Sequence, residues 1–543
     1  MVSMEKNPKF EISFIGGLRE IGANMAIIKG EGGSIVLDCG ILFPDENPFD
    51  IQYLIPDFSK FDGSGLSSVI ITHAHEDHIG AVSHLIKRFP HLRLLAPPFA
   101  AAVLKRKFDE AGLSKNIETF NESSIISLEG LEFHPIHVNH SVPQTYGFLV
   151  RDSSRTWTSF FTSDFKCDSR DPYEKPANLE KVARLSQDAK TKLLFADSTS
   201  ISEHDETPSE ADVIPELNDI FGKAPGRIFL TFFPSNIFRL KTILALAKAH
   251  GKKVIPVGRS VLMHLSIARD LDLIKNDPVI ATELTDVESP ENVFILSGCQ
   301  GDFKSAFKRI CSDEHAEIRL NRLDTVLYSA RVIPGNERRL RRIFGKIVEK
   351  GARLITPDDR KIHVSGHASK HDIKQVIEAY RPTHFFPVHG ESLGLIHHKE
   401  FVESLGMVLH SETIFNYHSV LIQNDLSVFT RKDPSTDPIF INEAHHELER
   451  TTVSERKRMA RNGILFVSII QGKRPVVLMT SGGLSPSLLA GHEVEIRDYI
   501  LRAIGVFRNK MSTDDIEKLR ISLRQYVEPL CGYKPVTVIH VHG

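Results

Sequence analysis

The sequence predicts an α/β chain of several domains: strands packed into a sandwich, a separate inserted α/β domain, and a small α/β unit at the end. Three observations carry this. Residues 10–60 alternate short apolar strands with glycine turns, residues 200–355 alternate strands with helices, and residues 455–543 form a compact α/β pattern behind a polar stretch. At 543 residues the chain exceeds one ordinary core, so two or three domains are expected. Its 41% apolar and 25% charged content is that of a globular protein. No apolar run is long enough to span a bilayer and residues 1–10 lack the apolar core of a signal peptide, so a cytoplasmic location without membrane contact is expected. The 5 cysteines are scattered with no CxxC pair, which points to reduced packing residues. Lys+Arg (67) and Asp+Glu (69) nearly cancel, which leaves only a local basic channel as a route to nucleic acid.

The first strands fall at 10–15, 25–28 and 35–38, separated by Gly16-Gly17 and Gly32-Gly33, and such turns suggest antiparallel sheet. Asp38 closes the third strand, either to brace a nearby site or as a plain strand-end cap. A buried strand end at 68–71 runs into Thr72-His73-Ala74-His75-Glu76-Asp77-His78, and helical periodicity follows over 81–89. An extended segment sends His73 and His75 to one side, and the turn into the helix brings Asp77 and His78 round to face them. Imidazoles and a carboxylate converging on one point suit a divalent metal such as zinc. Strands at 92–96 and 130–133 flank a helix at 100–111. His140, in Val138-Asn139-His140-Ser141-Val142-Pro143, ends a strand-like stretch within reach of the first cluster, whereas His134 and His137 read as packing or surface groups. The apolar strand Phe160-Phe161-Thr162-Ser163-Asp164 supplies a carboxylate able to bridge two metals, although a lone strand-end aspartate is more often a turn residue.

From 227 the pattern is βα: strands at 227–233, 253–257, 293–297 and 325–329, helices at 239–250, 261–271 and 303–311. The polar loops at its strand ends, Pro234-Ser235-Asn236 among them, suit anions. The basic run Glu337-Arg338-Arg339-Leu340-Arg341-Arg342 is either a solvated helix face or a phosphodiester contact. Site chemistry returns in Lys361-Ile362-His363-Val364-Ser365-Gly366-His367-Ala368-Ser369, read as joining a strand to a helix, and in the strand Phe385-Phe386-Pro387-Val388-His389. His84, His250, His384, His397, His398, His410, His445 and His446 read as helical or exposed. Polar residues up to Ser454 read as a linker, and the tail then predicts strands at 463–471, 475–480 and 536–541 with helices at 494–506 and 512–528.

Taken together, His73-Ala74-His75-Glu76-Asp77-His78, then His140, Asp164 and the late His389 resemble the ligand order of the metallo-β-lactamase fold. Asp197-Ser198-Thr199 and the 363–369 stretch resemble the added signatures of its β-CASP nuclease branch. Gly16-Gly17-Leu18-Arg19-Glu20-Ile21-Gly22, Asp164-Phe165-Lys166, Thr207-Pro208-Ser209-Glu210, Ile333-Pro334-Gly335-Asn336-Glu337 and Pro387-Val388-His389-Gly390-Glu391 are similar to the ribonuclease J family. The resemblance implies a metallo-β-lactamase αββα sandwich in two parts, 1–200 and 356–430, a β-CASP domain at 201–355, a linker at 431–454 and a C-terminal domain at 455–543. It implies two divalent ions, zinc with manganese as the alternative, one on His73, His75 and His140, the other on Asp77, His78 and His389, with Asp164 bridging. His367 is the expected general acid, oriented by Asp197. Ser365, Gly366, Ala368, Ser369 and Asn236 are the expected holders of a 5′-phosphate, and Phe43 is either a base-stacking platform or core. The implied activity is a 5′-to-3′ exoribonuclease preferring 5′-monophosphate ends of single-stranded RNA, with some endonuclease activity, in RNA maturation and decay. A homodimer or homotetramer and an RNA-degradation assembly are implied partners. A β-CASP endonuclease without end preference, a small-molecule metallo-hydrolase and a non-catalytic RNA-binding subunit remain as alternatives. The chain departs from the family where glycine is common, at Arg19, Ala74 and Ser163, and has Gln144 for an acid and Cys299 for a serine. A serine beside a bridging aspartate matters if φ at 163 is positive.

Overall fold

The computed structural model describes residues 8–44, 51–61, 63–203, 205–275, 279–281, 286–472, 474–484, 486–505, 511–532 and 534–542. Val506, the expected end of a tail helix, lies outside them. The chain forms two compact units, Met1–Glu46 with Tyr53–Pro438, and Asn47–Gln52 with Ile439–Gly543.

In the first unit two mixed sheets face each other. One has eight strands, running in the order Val428–Lys432, His418–Ile422, Phe10–Gly16, Met25–Lys29, Ser34–Leu37, Leu66–Ile70, Arg93–Ala96 and Glu118–Thr119. Its N-terminal strands pair antiparallel as their tight turns require, but from Ser34–Leu37 onward the pairing is parallel. The helices Glu76–Ile79, Val82–Arg88 and Pro98–Glu110 supply the long connections that parallel neighbours need. The other sheet has seven strands, in the order His410–Ser411, His384–Val388, Thr191–Asp197, Trp157–Phe161, Tyr146–Asp152, Leu131–His137 and Ile126–Leu128. Phe10, Ile12, Phe14, Ile28 and Ile35 from the first sheet share a core with Phe133, Phe148, Trp157, Phe195 and Phe386 from the second. The second sheet's outer face, with Ile136, Leu149, Phe160, Leu194 and Phe385, packs on Val182, Ile373, Val376, Ile377 and Val402 of its covering helices. This is the αββα sandwich.

Alternate residues of three adjacent strands set the site's floor. Phe195 stacks between Phe161 (4.7 Å, 3°) and Phe386 (5.1 Å, 17°). The chain then leaves each strand at the same edge, delivering Asp164 three residues after Phe161, Asp197 two after Phe195 and His389 three after Phe386.

The inserted segment forms a wholly parallel five-stranded sheet, Lys253–Val257, Asn292–Leu296, Ile228–Thr231, Thr325–Tyr328 and Arg353–Ile355, with a core of its own that includes Cys299. It stays within the first compact unit. Buried Arg239 of the helix Ile237–Ala249 ion-pairs with Glu210 and donates from Nη1 to Ile362 O at 2.7 Å, tying the insert to the chain that returns to the sandwich. The basic helix Glu337–Glu349 buries Leu340, Ile343 and Ile347 and exposes Arg338, Arg341 and Arg342.

In the second unit the sheet Val476–Gly482, Ile464–Ile470, Val536–His542 buries Leu465, Val467, Ile469 and Val477 against Ile496, Ile500, Leu519, Leu523 and Val527. The helix expected from 494 begins at Pro486, a residue at home in a first helical turn. Two expectations are corrected. Polar composition suggested a linker over 431–454, but that stretch carries the strands Ile439–Ile441 and Glu447–Leu448 and the start of the helix Arg450–Asn462. Residues 361–364 are not a strand end; the chain reaches His367 through a loop.

Replacing Phe195 by alanine removes the middle ring of the stack. The Phe195→Ala protein is expected to lose about 3–5 kcal/mol of stability, read as a fall in the denaturant midpoint; an unchanged midpoint would show that the stack does not support the site's floor.

Candidate metal centre

His73 and His75 leave the end of the strand Leu66–Ile70 in extended chain, and the one-turn helix Glu76–Ile79, with His75 at its N-cap, swings Asp77 and His78 back over them. That helix is held against the chain after Asp38. Cys39 N–H donates to His78 O at 2.7 Å, Asn24 N–H to Asp77 O at 2.9 Å, and Gly40 sits so close that a Cβ there would lie 1.6 Å from Asp77 O. Only glycine fits at 40.

His73, His75, His140 and Asp164 come together with one donor atom each inside 4.8 Å, and so do Asp77, His78, Asp164 and His389. Asp164 belongs to both groups. Its carboxylate lies 3.6 Å from His73 Nε2, 3.2 Å from His78 Nε2, 3.8 Å from His140 Nε2 and 3.5 Å from His389 Nε2. A third overlapping set adds Asp197 and His367, but Asp197 is already engaged by both histidines through hydrogen bonds.

The imidazole tautomers are set from behind. His140 Nδ1–H donates to Gly366 O at 2.7 Å, which leaves Nε2 facing the centre. Asp38 resolves in favour of bracing: it accepts from Thr72 N–H, Thr72 O–H and His78 Nδ1–H, each at 2.8 Å. Thr72 Oγ1 lies 2.9 Å from His73 Nδ1. His389 Nδ1 lies 2.7 Å from Thr199 Oγ1 and 3.1 Å from Asp197 Oδ1, while Asp197 Oδ2 accepts from His367 Nδ1–H at 2.7 Å. One carboxylate thus joins His389 of the cluster to His367 beside it.

Burial lowers His75 to about 4 and His140 to about 3, and pushes His73 well below its ordinary value, so these three offer lone pairs at neutral pH. Burial also opposes charge on His78 and His389, but there the carboxylates of Asp164 and its neighbours outweigh it and raise both pKa values. At His367 burial again favours the neutral ring, and the Asp197 carboxylate reverses the outcome and holds the pKa above the usual histidine range.

The residues fit divalent ions. His73 Nε2 and Asp164 Oδ1 are buried with no hydrogen-bond partner among the described residues, a condition that a buried polar atom tolerates poorly. Imidazole and carboxylate donors suit zinc and manganese alike.

Other expected residues fall out differently. Gly366 is required where it stands, since a Cβ would meet His140 Nδ1 at 2.8 Å. Ser365 Oγ lies 3.1 Å from Ser200 Oγ and is partly exposed. Ser369 and Ala368 are each 1% exposed, and Ser369 is engaged through both its N–H and its hydroxyl by Asp372. Asn236 caps the helix Ile237–Ala249 by accepting from Arg239 N–H at 2.9 Å. Phe43 is 52% exposed, which excludes it from the core. His134 and His137 are buried and hydrogen-bonded to Glu132 and Lys175 O, outside the cluster. His398 stands on the helix Ser392–Ser404, a helical setting as expected, and is fully buried with Nδ1 2.9 Å from Ser198 Oγ. The sequence reading assigned no role to Asn24, Thr72 or Thr199: the two threonines stand inside the motifs already quoted, and Asn24, 53 residues from Asp77, carries no local signal. Ser163 has φ +57, Arg19 φ +80 and Gln144 φ +60, so three of the five departures stand in left-handed backbone, at a cost on the order of 1 kcal/mol each.

Comparison with known proteins adds the following. Residues 18–151 match the metallo-beta-lactamase superfamily, 225–347 the ribonuclease J beta-CASP domain, and 360–410 the Zn-dependent metallo-hydrolase RNA specificity domain. A protein named Ribonuclease J from Helicobacter pylori (strain ATCC 700392 / 26695) is 30% identical over 505 residues, spanning 91% of this chain and 72% of its own. Proteins of the same name from Synechocystis sp. and Thermus thermophilus are 30% and 28% identical, over 86% and 97% of this chain and 73% and 94% of theirs. A solved structure of a protein of unknown function from Enterococcus faecalis V583 shares the fold, with a TM-score of 0.55 at 15% identity, over 76% of this chain and all of that one. Among the described residues no helix is long and apolar enough to cross a membrane.

Ions that bind only the folded chain stabilise it, by about 2.7 kcal/mol at a hundred times Kd. Chelation is therefore expected to lower Tm, and zinc or manganese to restore it. In Asp164→Ala the metal content should collapse and the chelator shift vanish, whereas full metal retention would remove Asp164 from the ligand set.

Proposed function

Because the chain belongs to the ribonuclease J family and is therefore a ribonuclease on the metallo-β-lactamase fold, we propose that it degrades single-stranded RNA 5′ to 3′ from monophosphorylated ends, with some internal cleavage. The observation that supports this reading is the composition of the turn at 365–367. It carries the His367 imidazole, paired with Asp197, and the Ser365 hydroxyl, which contacts Ser200; Arg331 in turn donates to Ser200 Oγ at 3.3 Å. A guanidinium and hydroxyls beside a general acid suit a terminal phosphate one nucleotide from the scissile bond.

In this reading His73, His75, His140 and Asp164 hold one divalent ion, and Asp77, His78, Asp164 and His389 hold the second, zinc or manganese. When bound, the ions supply activation of water and Lewis-acid stabilisation of phosphate charge. The remaining work belongs to side chains. Asp197 keeps the His367 ring oriented and protonated, and with Nδ1 engaged by Asp197 the proton leaves from Nε2 to the 3′ oxygen as its bond to phosphorus breaks. Exposed Phe43 is a stacking platform for a base. We take 1–200 with 356–430 as one domain interrupted by 201–355, followed by a C-terminal domain, in a cytoplasmic enzyme.

Loss of a general acid is worth about 10²–10⁴ in rate. His367→Ala should cut kcat on RNA by that order with metal content unchanged, and loss of metal would make His367 a ligand instead. On otherwise identical RNA, 5′-monophosphate ends should be degraded at least tenfold faster than 5′-triphosphate ends by about 1.4 kcal/mol of discrimination. Equal rates would leave a nuclease without end preference.

A further inference from the structure

The loop that carries His367 is pinned at both ends. Its start, Ile362 O, accepts from Arg239 Nη1 at 2.7 Å and from Ser329 Oγ at 2.6 Å. Its end is the N-terminus of the helix Lys370–Tyr380, whose third residue, Asp372, is 2% exposed.

Asp372 does more than cap that helix. A cap needs only Ser369, whose N–H and O–H reach Oδ2 at 2.8 and 3.0 Å. The Thr207 hydroxyl also donates to Oδ2, at 2.6 Å, and the Cys167 N–H donates to Oδ1 at 3.1 Å. These two donors are 165 and 205 residues away in sequence. Cys167 lies three residues beyond Asp164 on the same loop, and Lys166 between them donates its N–H to Asn139 O, next to His140. Phe165 and Ala368 pack in one core with Ile373, so the two loops are also joined by apolar contact. A buried carboxylate that accepts four hydrogen bonds holds its donors closely, because charge-assisted bonds are the strong ones and leaving any of them unmade is costly.

We propose that Asp372 is a positioning residue for RNA hydrolysis, fixing the His367 loop against the Asp164 loop from outside the metal cluster. The proposal rests on the reading of His367 as the acid. Asp372 touches neither RNA nor the ions; it sets where the acid stands relative to the bond that breaks.

The test compares two substrates on the full chain loaded with metal: 5′-monophosphate RNA, whose leaving 3′ oxygen needs a proton, and bis(p-nitrophenyl) phosphate, whose leaving phenolate does not. In Asp372→Asn an amide nitrogen meets donors on one side. We expect kcat on RNA to fall by about 10- to 100-fold, as for an ångström of misplacement, with KM within twofold, metal content unchanged and hydrolysis of the activated diester nearly unaltered. Thr207→Val, which removes one link and keeps the carboxylate, should show the same split in weaker form and stands in if Asp372→Asn does not fold. Parallel loss on both substrates, or loss of metal, would make Asp372 a plain structural cap. If His367→Ala gives the split and Asp372→Asn does not, the positioning role fails while the acid assignment stands. If His367→Ala gives no split, the acid assignment fails and the positioning role with it.

Discussion

The carboxylate of Asp164 is 1% exposed and has four imidazole nitrogens at 3.2 to 3.8 Å. A buried charge of this kind is tolerable only when cations or strong donors surround it. Much of the molecule can be understood as meeting that requirement. Burial keeps His73, His75 and His140 neutral, while the carboxylates raise His78 and His389, so the same pocket offers lone pairs on one side and a strong demand for positive charge on the other. That combination favours a divalent ion over a proton, since an ion can satisfy the carboxylate and the neutral imidazoles together.

The second constraint is the sharing of Asp197. Its two oxygens divide between His389 and His367, so the cluster and the group beside it cannot move independently. The stack of Phe161, Phe195 and Phe386 places Asp164, Asp197 and His389 on one edge of the second sheet, and parallel pairing keeps them level. Chemistry at strand ends is accordingly a matter of packing three rings in the middle of the sandwich.

Where local pattern controls structure, the sequence was easy to read. Alternation and turn glycines marked the strands, and the strand-to-helix spacing of 73–78 marked a metal-binding loop. Where partners come from far along the chain, it was not. The role of Asp372 was not visible, because its donors Thr207 and Cys167 stand 165 and 205 residues away. His398 stands on a helix as expected, but its buried contact with Ser198 Oγ spans 200 residues and leaves no local trace. The polar stretch after 431 looked like a linker, and the strand Ile439–Ile441 forms there in spite of its composition, with Ile441 fully buried.

The residue types capable of metal chemistry, their placement at strand ends and the α/β architecture were determined by sequence alone, because each rests on short-range spacing that the backbone's periodicities translate directly into direction; the family was legible in the order of motifs along the chain. Which carboxylate braces which histidine was decided only by the tertiary structure. Asp38 reaching His78, Gly366 O reaching His140, Asp197 divided between two rings and Asp372 drawing in Thr207 and Cys167 are contacts across 40 to 226 residues. Such contacts depend on how two sheets close around a buried charge, and no local pattern encodes that closure.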